Sequence, residues 1–212
     1  MTTQTWSSGG SYTWVATASI VRCQCWGAGG AGANSISAAG GGGGEYAEEP
    51  ALNVIIGNSY TVNVGSGGNG LAYSTGPRVV AASGGNTTFS TVTAHGGSGG
   101  AVSSTGGAGG SGSSNTIHYS GGNGANDTAN VLTGGGSSAG PLAAGGNASG
   151  ASGGSAPAGG GNGGNANVAG SSPGGAGGAA SNHLANSPSG ADGQVVLTYN
   201  VTSPSALIAF FM

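Results

Sequence analysis

Glu45, Glu48 and Glu49 form the only acidic cluster in the chain. Paired carboxylates suit glycoside hydrolysis or calcium binding. No second acidic set and no aromatic-lined cleft reads around them, so they are expected on a solvated loop or strand edge. Cys23 and Cys25, the only cysteines, are spaced C-x-C. On a strand they share a face, and their geometry does not favour a mutual disulfide. A metal site needs further ligands at suitable spacing, and His95, His118 and His183 are scattered. The expectation is two small buried thiols and no metal.

Gly27–Gly32 (GAGGAG) and Gly65–Gly70 (GSGGNG) both match G-x-G-x-x-G after a strand. A dinucleotide site also requires a helix immediately afterwards. The sequence following the first, ANSISAAGGGGG, cannot be one, and GAGGAG is expected to be a polar loop. Gly136–Gly140 (GSSAG) matches G-x-S-x-G but lacks the strand before it and the helix after it. Asp127 and Asp192 sit in turn-like settings. Nothing assembles a nucleophile, a base and an orienting group. No catalytic residue, no cofactor and no enzymatic activity are expected.

The elements that would position such residues are unusual in composition. Of 212 residues, 52 are glycine and 3% are charged, against about 7% and 25% in an average domain. Collagen is excluded, because the glycine register shifts and there are only 7 prolines. Disorder normally accompanies high net charge, whereas the formal net charge here is −3. Arg22 and Arg78 are the only Lys or Arg residues. Nucleic-acid binding needs several cations to displace counterions, so that partner class is excluded. No apolar run is long enough to span a bilayer. The polar N-terminal stretch does not read as a secretory signal, which points to synthesis in a cytoplasm.

Period-two alternation of β-formers marks the strands. Thr5–Trp6 and Tyr12–Val15 read as hairpin arms with a turn at 7–11. Ser19–Trp26 alternates, with Val21, Cys23 and Cys25 on one face. Trp6, Trp14 and Trp26 are the only tryptophans and mark the stable nucleus. Glu45–Ile56 reads as a strand pair edge broken at Pro50. Gly57–Ser59 signals a turn. Tyr60–Val64, Asn86–His95 (anchored by Phe89) and Gln194–Val201 complete the set.

Between Gly96 and Gly193 glycine recurs with local period three, without helical periodicity. Period three without helix formers points to polyproline-II geometry. Isolated glycine chains would lose too much entropy to hold it. Side by side, backbones come close enough to bond laterally. An ordered bundle is therefore expected rather than a flexible linker. The expected division is strands with glycine-rich loops over 1–95, a polyglycine-II region over 96–193, a closing strand over 194–201 and an apolar tail over 202–212.

Several motifs carry a resemblance: Tyr12-Thr13-Trp14, Cys25–Gly30, Gly44–Ala47, Tyr60–Gly65, Gly84–Phe89 and Gly190–Tyr199. Together they resemble the glycine-rich domain common in phage tail proteins. The resemblance implies an all-β fold with almost no α-helix. A small, jelly-roll-like β-sandwich would be formed by both chain ends, with a polyglycine-II helix bundle inserted. It implies a non-enzymatic virion structural protein, a minor tail, tail-tip or fibre component contributing to host attachment. A head-surface decoration or head-fibre protein, and an ice-binding polyglycine protein, are the alternatives. The implied partners are other virion proteins and a host cell-surface glycan or protein. Thr116, Ile117, His118 and Tyr119, with Asn182, His183 and Asn186, are the candidate receptor-contact loops. The tail ends ALIAFFM, and Leu207, Ile208, Phe210, Phe211 and Met212 are the candidate contacts of a homo-oligomer, with a trimer as the expectation by analogy.

Overall fold

The alternating segments become nine strands in the computed structural model, which describes residues 1–35, 38–71, 80–102, 104–128, 131–180 and 186–201. They are β1 (Thr2–Trp6), β2 (Gly10–Val15), β3 (Ile20–Trp26), β4 (Tyr46–Asn53), β5 (Ser59–Val64), β6 (Thr87–Phe89), β7 (Val92–Ala94), β8 (Ile117–Tyr119) and β9 (Gln194–Tyr199). The described residues contain no α-helix. Two antiparallel sheets form, in the orders β1-β9-β3-β4-β8 and β2-β5-β6-β7.

Both sheets contribute to one hydrophobic cluster. Val21, Cys23, Cys25, Val195 and Leu197 from the first meet Trp14, Val62, Phe89 and Val92 from the second. Trp14 is its hub, with ring centroids 5.4 Å from Tyr199, 5.8 Å from Phe89 and 6.0 Å from Tyr60. Such aromatic pairs contribute about 0.5–1.5 kcal/mol beyond their buried area. The three tryptophans are not one nucleus. Trp6 packs at the edge of this cluster, and Trp26 belongs to a second one with Tyr46 and Ala139.

Two strand expectations need correction. β1 and β2 are not hairpin arms: β1 pairs with β9 and β2 with β5, in different sheets. Nor does Pro50 break a strand, because β4 runs through it. The β3–β4 register shifts between Val21↔Leu52 and Cys23↔Glu49. Pro50 and Ala51 thus oppose the single residue Arg22. A bulge is where a strand tolerates a proline, which has no N–H for the ladder.

The glycine-rich segments all leave one end of this β-unit, after β3, β5 and β7 and before β4, β6 and β9. Gly27–Ala33 is not a polar loop. It is fully buried, and its successive N–H groups donate to three different neighbours in rotation. Gly27, Gly30 and Ala33 donate to the carbonyls of Glu45, Gly42 and Ala39. Ala28 and Ala31 donate to Gly85 and Ala82. Gly29 and Gly32 donate to Ala191 and Pro188. Each neighbour is met every third residue, running antiparallel. Segments on both sides of residue 96 share this lattice, as in Gly136 N to Gly41 O and Gly177 N to Gly30 O. Close approach is what glycine permits here. A Cβ on Gly27, Gly29, Gly30 or Gly32 would stand well inside 3.0 Å of a neighbouring backbone carbonyl oxygen.

Where no further segment covers the lattice, short polar side chains substitute for one. The Oδ1 atoms of Asn86, Asn123, Asn126, Asn162 and Asn165 accept from the N–H of Gly96, Gly109, Gly106, Ala156 and Gly153. The asparagines at spacing three, 123/126 and 162/165, thus satisfy a face that would otherwise carry open donors.

Candidate functional site

The acidic cluster is positioned by the start of β4, and burial replaces the solvated edge expected for Glu45 and Glu48, while Glu49 stays half-buried at the strand edge. Glu45 is 0% exposed and Glu48 2% exposed. A buried carboxylate must be neutralised or hydrogen-bonded, and each of the three is bonded. Glu45 Oε2 accepts from His95 N at 3.0 Å and lies 2.6 Å from His95 Nδ1; its Oε1 accepts from Ser113 N at 2.9 Å. His118 Nδ1 stands 3.9 Å from the same Oε1. One side chain thereby ties the start of β4, the end of β7 and the approach to β8.

Glu48 lies on the outer face of the five-stranded sheet. The Arg22 guanidinium grips it as a fork, Nε to Oε1 at 2.6 Å and Nη2 to Oε2 at 3.0 Å. Gln24 Nε2 and the Tyr46 hydroxyl also donate to Oε2. Burial pushes the Glu48 pKa up, but the hydrogen bonds from Arg22 and Tyr46 outweigh it, and the net value lies below the ordinary one. The hydrogen bond to Glu48 raises Arg22. Burial, then the Glu48 hydrogen bond, raises the Tyr46 phenol. Glu49 accepts from Thr116 N at 2.8 Å, Thr116 Oγ1 at 2.7 Å and Asn115 Nδ2 at 3.2 Å. The Thr116 hydroxyl is the main cause of its lowered pKa.

These contacts leave the carboxylates engaged as anchors. The other motifs are engaged in the same way. In GAGGAG every N–H is already donated within the lattice. In GSGGNG, Gly65 donates to Thr87 Oγ1, Gly67 to Asp192 Oδ1, Gly68 to Gly29 O and Gly70 to Ser189 Oγ. A phosphate cradle needs such donors open. The GSSAG hydroxyls serve the backbone: Ser137 Oγ accepts from Gly146 N, and Ser138 Oγ from Gly161 N. Cys23 and Cys25 are buried and free, their sulfurs 3.8 Å apart. Burial raises the Cys23 thiol well above its usual value, so it is a poor nucleophile. Among the described residues no group of three or more His, Cys, Asp or Glu could hold a metal ion, and no helix is long and apolar enough to cross a membrane.

The candidate contact residues fall in separate parts of the fold, one set on a sheet edge and Asn186 among the glycine-rich segments. Thr116–Tyr119 is not a loop. Ile117–Tyr119 forms β8, the edge strand on β4, with His118 opposite Ala47, and Glu49 clamps Thr116 beside it. The I-H-Y alternation after a threonine was the available signal. Asn186 is exposed at the far end of the glycine-rich segments, next to Ser187, whose N–H bonds to Leu71 O. The structure does not bring the two sets together. Asn182 and His183, and Leu207, Ile208, Phe210, Phe211 and Met212, lie outside the described residues.

Sequence reasoning missed Asp192. Its carboxylate spans two connections, accepting from Gly9 N at 2.8 Å and Gly67 N at 2.7 Å. It also missed the asparagine props, because G-G-N reads locally as a turn.

No curated protein matches the chain. The profile of the glycine-rich domain matches residues 4–200, from β1 to the residue after β9. The lattice-forming glycines and the strands that carry them therefore lie within a single match, and the chain belongs to the glycine-rich domain family.

Proposed function

We propose that this chain is a non-enzymatic bacteriophage virion structural protein, a minor tail, tail-tip or fibre component that contributes to host attachment. Its architecture is read as a small jelly-roll-like β-sandwich carrying a bundle of polyglycine-II segments. One observation carries the reading: backbone donors of a buried glycine segment turn through three neighbours with period three. A polyproline-II chain has three residues per turn and no internal hydrogen bonds, so its donors are free to point at neighbours about 120° apart. Such a bundle has almost no side chains to spend on a binding cleft. It is a stiff spacer that acts through its ends.

The far end supports the attachment role. Its described residues include the exposed polar side chains Asn167 and Asn186. Weak polar contacts with a cell-surface glycan gain avidity when many copies are presented together. The phage setting rests on the resemblance of the strand motifs.

Immunogold labelling of virions tests the placement. Gold at the tail tip or fibres is the expected result. Gold on the capsid would contradict the tail placement, and unlabelled virions would sink the structural role. A host-cell pull-down with purified protein tests attachment separately, and failure to bind cells would remove that part alone.

A further inference from the structure

A cleft of about 560 Å³ opens where β3 begins and β9 ends. Its size falls within the roughly 300–1,000 Å³ typical of small-molecule sites. Strand register builds it. Arg22 on β3 opposes Thr198 on β9. On the other side of β3, the β4 bulge sets Pro50 and Ala51 against the same residue. Ser19 and Ile20 lead into β3, and Asn200 follows β9. Arg22, Thr198, Pro50, Ser19, Ile20 and Asn200 line the cleft, and no Asp or Glu does so among the described residues.

Arg22 selects the charge of the ligand. The Glu48 side chain, 3% exposed, takes its Nε and Nη2 as a fork. Nη1 takes no part in that fork, and 48% of the Arg22 side chain remains exposed. The fork fixes the guanidinium in place, so little side-chain freedom is lost when its remaining edge meets a second carboxylate. Glu48 already compensates the charge, so a bare anion gains little. The rest of the lining must supply the difference. Ile20, 53% exposed, and the Pro50 ring offer apolar surface. The Ser19 and Thr198 hydroxyls and the Asn200 amide offer both donors and acceptors. Apolar ring faces edged by hydroxyl groups are what a sugar presents. We propose that this cleft binds a carboxylated saccharide, a uronic-acid-type unit whose carboxylate meets Arg22 and whose ring lies against Ile20 and Pro50. The site lies on the β-unit and is independent of the attachment role proposed for the glycine-rich segments.

Titration of the isotope-labelled full chain with methyl glucuronide, followed by its amide NMR spectrum, tests this. Methyl glucoside supplies the ring without the carboxylate, and acetate the carboxylate without the ring. The expected result is saturable shifts at Ile20, Arg22 and Thr198 with the glucuronide, binding about tenfold or more tighter than either control. Arg22→Gln/Glu48→Gln removes the guanidinium without stranding its partner and should abolish those shifts. If that variant loses the dispersed spectrum of the folded chain, Asn200→Asp replaces it. This is an isosteric change at an exposed position, and its new carboxylate should weaken glucuronide binding about tenfold. Three results each overturn the proposal: no saturable shift at these amides, an equal response to the glucoside or to acetate, and glucuronide binding unchanged in the folded variant. The host-cell pull-down reads attachment and not this cleft, so the two readings fail separately.

Discussion

Replacing Gly30 with alanine adds one methyl group to the lattice. Its Cβ would stand against the Ser98 carbonyl oxygen, inside the 3.0 Å that real Cβ contacts respect. The obstacle is backbone, so no rotamer change relieves it. Ser98 cannot simply retreat, because its carbonyl accepts from Gly42 N at 2.8 Å and its N–H donates to Ala108 O at 2.9 Å. Gly30 itself donates to Gly42 O and accepts from Gly177 N. Overpacking of a dense interior costs about 1–3 kcal/mol. Disturbing one or two of these hydrogen bonds adds about 1 kcal/mol each. A total of about 3–4 kcal/mol follows, which in a chain of this size lowers Tm by about 6–15 °C. Gly57→Ala is the control. Its Cβ meets nothing within 4 Å, and only the positive φ of 84° opposes it, at about 1–2 kcal/mol. Thermal unfolding followed by circular dichroism reads both. If Gly30→Ala melts with its parent, or no lower than Gly57→Ala, the close-packed lattice is wrong.

Glu45→Ala should be among the most damaging single changes, costing about 3 kcal/mol, since it strands the buried Ser113 donor and the part-buried His95 donors and empties a fully buried site; chemical denaturation would show it. Asp192→Ala should cost about 1–2 kcal/mol, because its partners, the N–H groups of Gly9 and Gly67, are only part-buried. Asn126→Ala exposes a surface N–H to water and should cost under about 1 kcal/mol, with the same assay separating the three. The acid limb of stability has a defined sign. Glu48 and Glu49 have folded pKa values below the ordinary 4.5. Their contribution is therefore complete above 4.5 and is lost as pH falls through the lower folded values. Tm should hold from neutral pH down to that point and fall below it, and Glu48→Gln should flatten the fall. A Tm that rose on acidification would reverse the reading.

The strands with clean alternation were legible without a structure. β3, β5 and β9 stand where Val21/Cys23/Cys25, Val62/Val64 and Val195/Leu197 mark one face. What was not legible depended on distant partners. Thr5–Trp6 and Tyr12–Val15 look like hairpin arms locally, and only the pairing of β1 with β9, at the other end of the chain, separates them. Pro50 reads as a break unless the bulge opposite Arg22 is known. The glutamates read as solvated because charge normally is. The burial of Glu45 and Glu48 depends on Arg22, His95 and Ser113, which approach from separate segments. Glycine periodicity suggested three residues per turn. It could not say which segment each donor would meet, because segments without side chains carry no complementarity to read.

Hydrogen–deuterium exchange, resolved to segments, tests the central claim most directly. The glycine-rich segments form a hydrogen-bonded lattice and not a linker between strands. The amides of Gly122, Gly136, Gly163 and Gly177 donate to Ser137, Gly41, Gly154 and Gly30. They should exchange as slowly as the β9 amides, through global opening of the fold. Complete exchange of these glycines at the earliest time point, with β3 and β9 still protected, would contradict it.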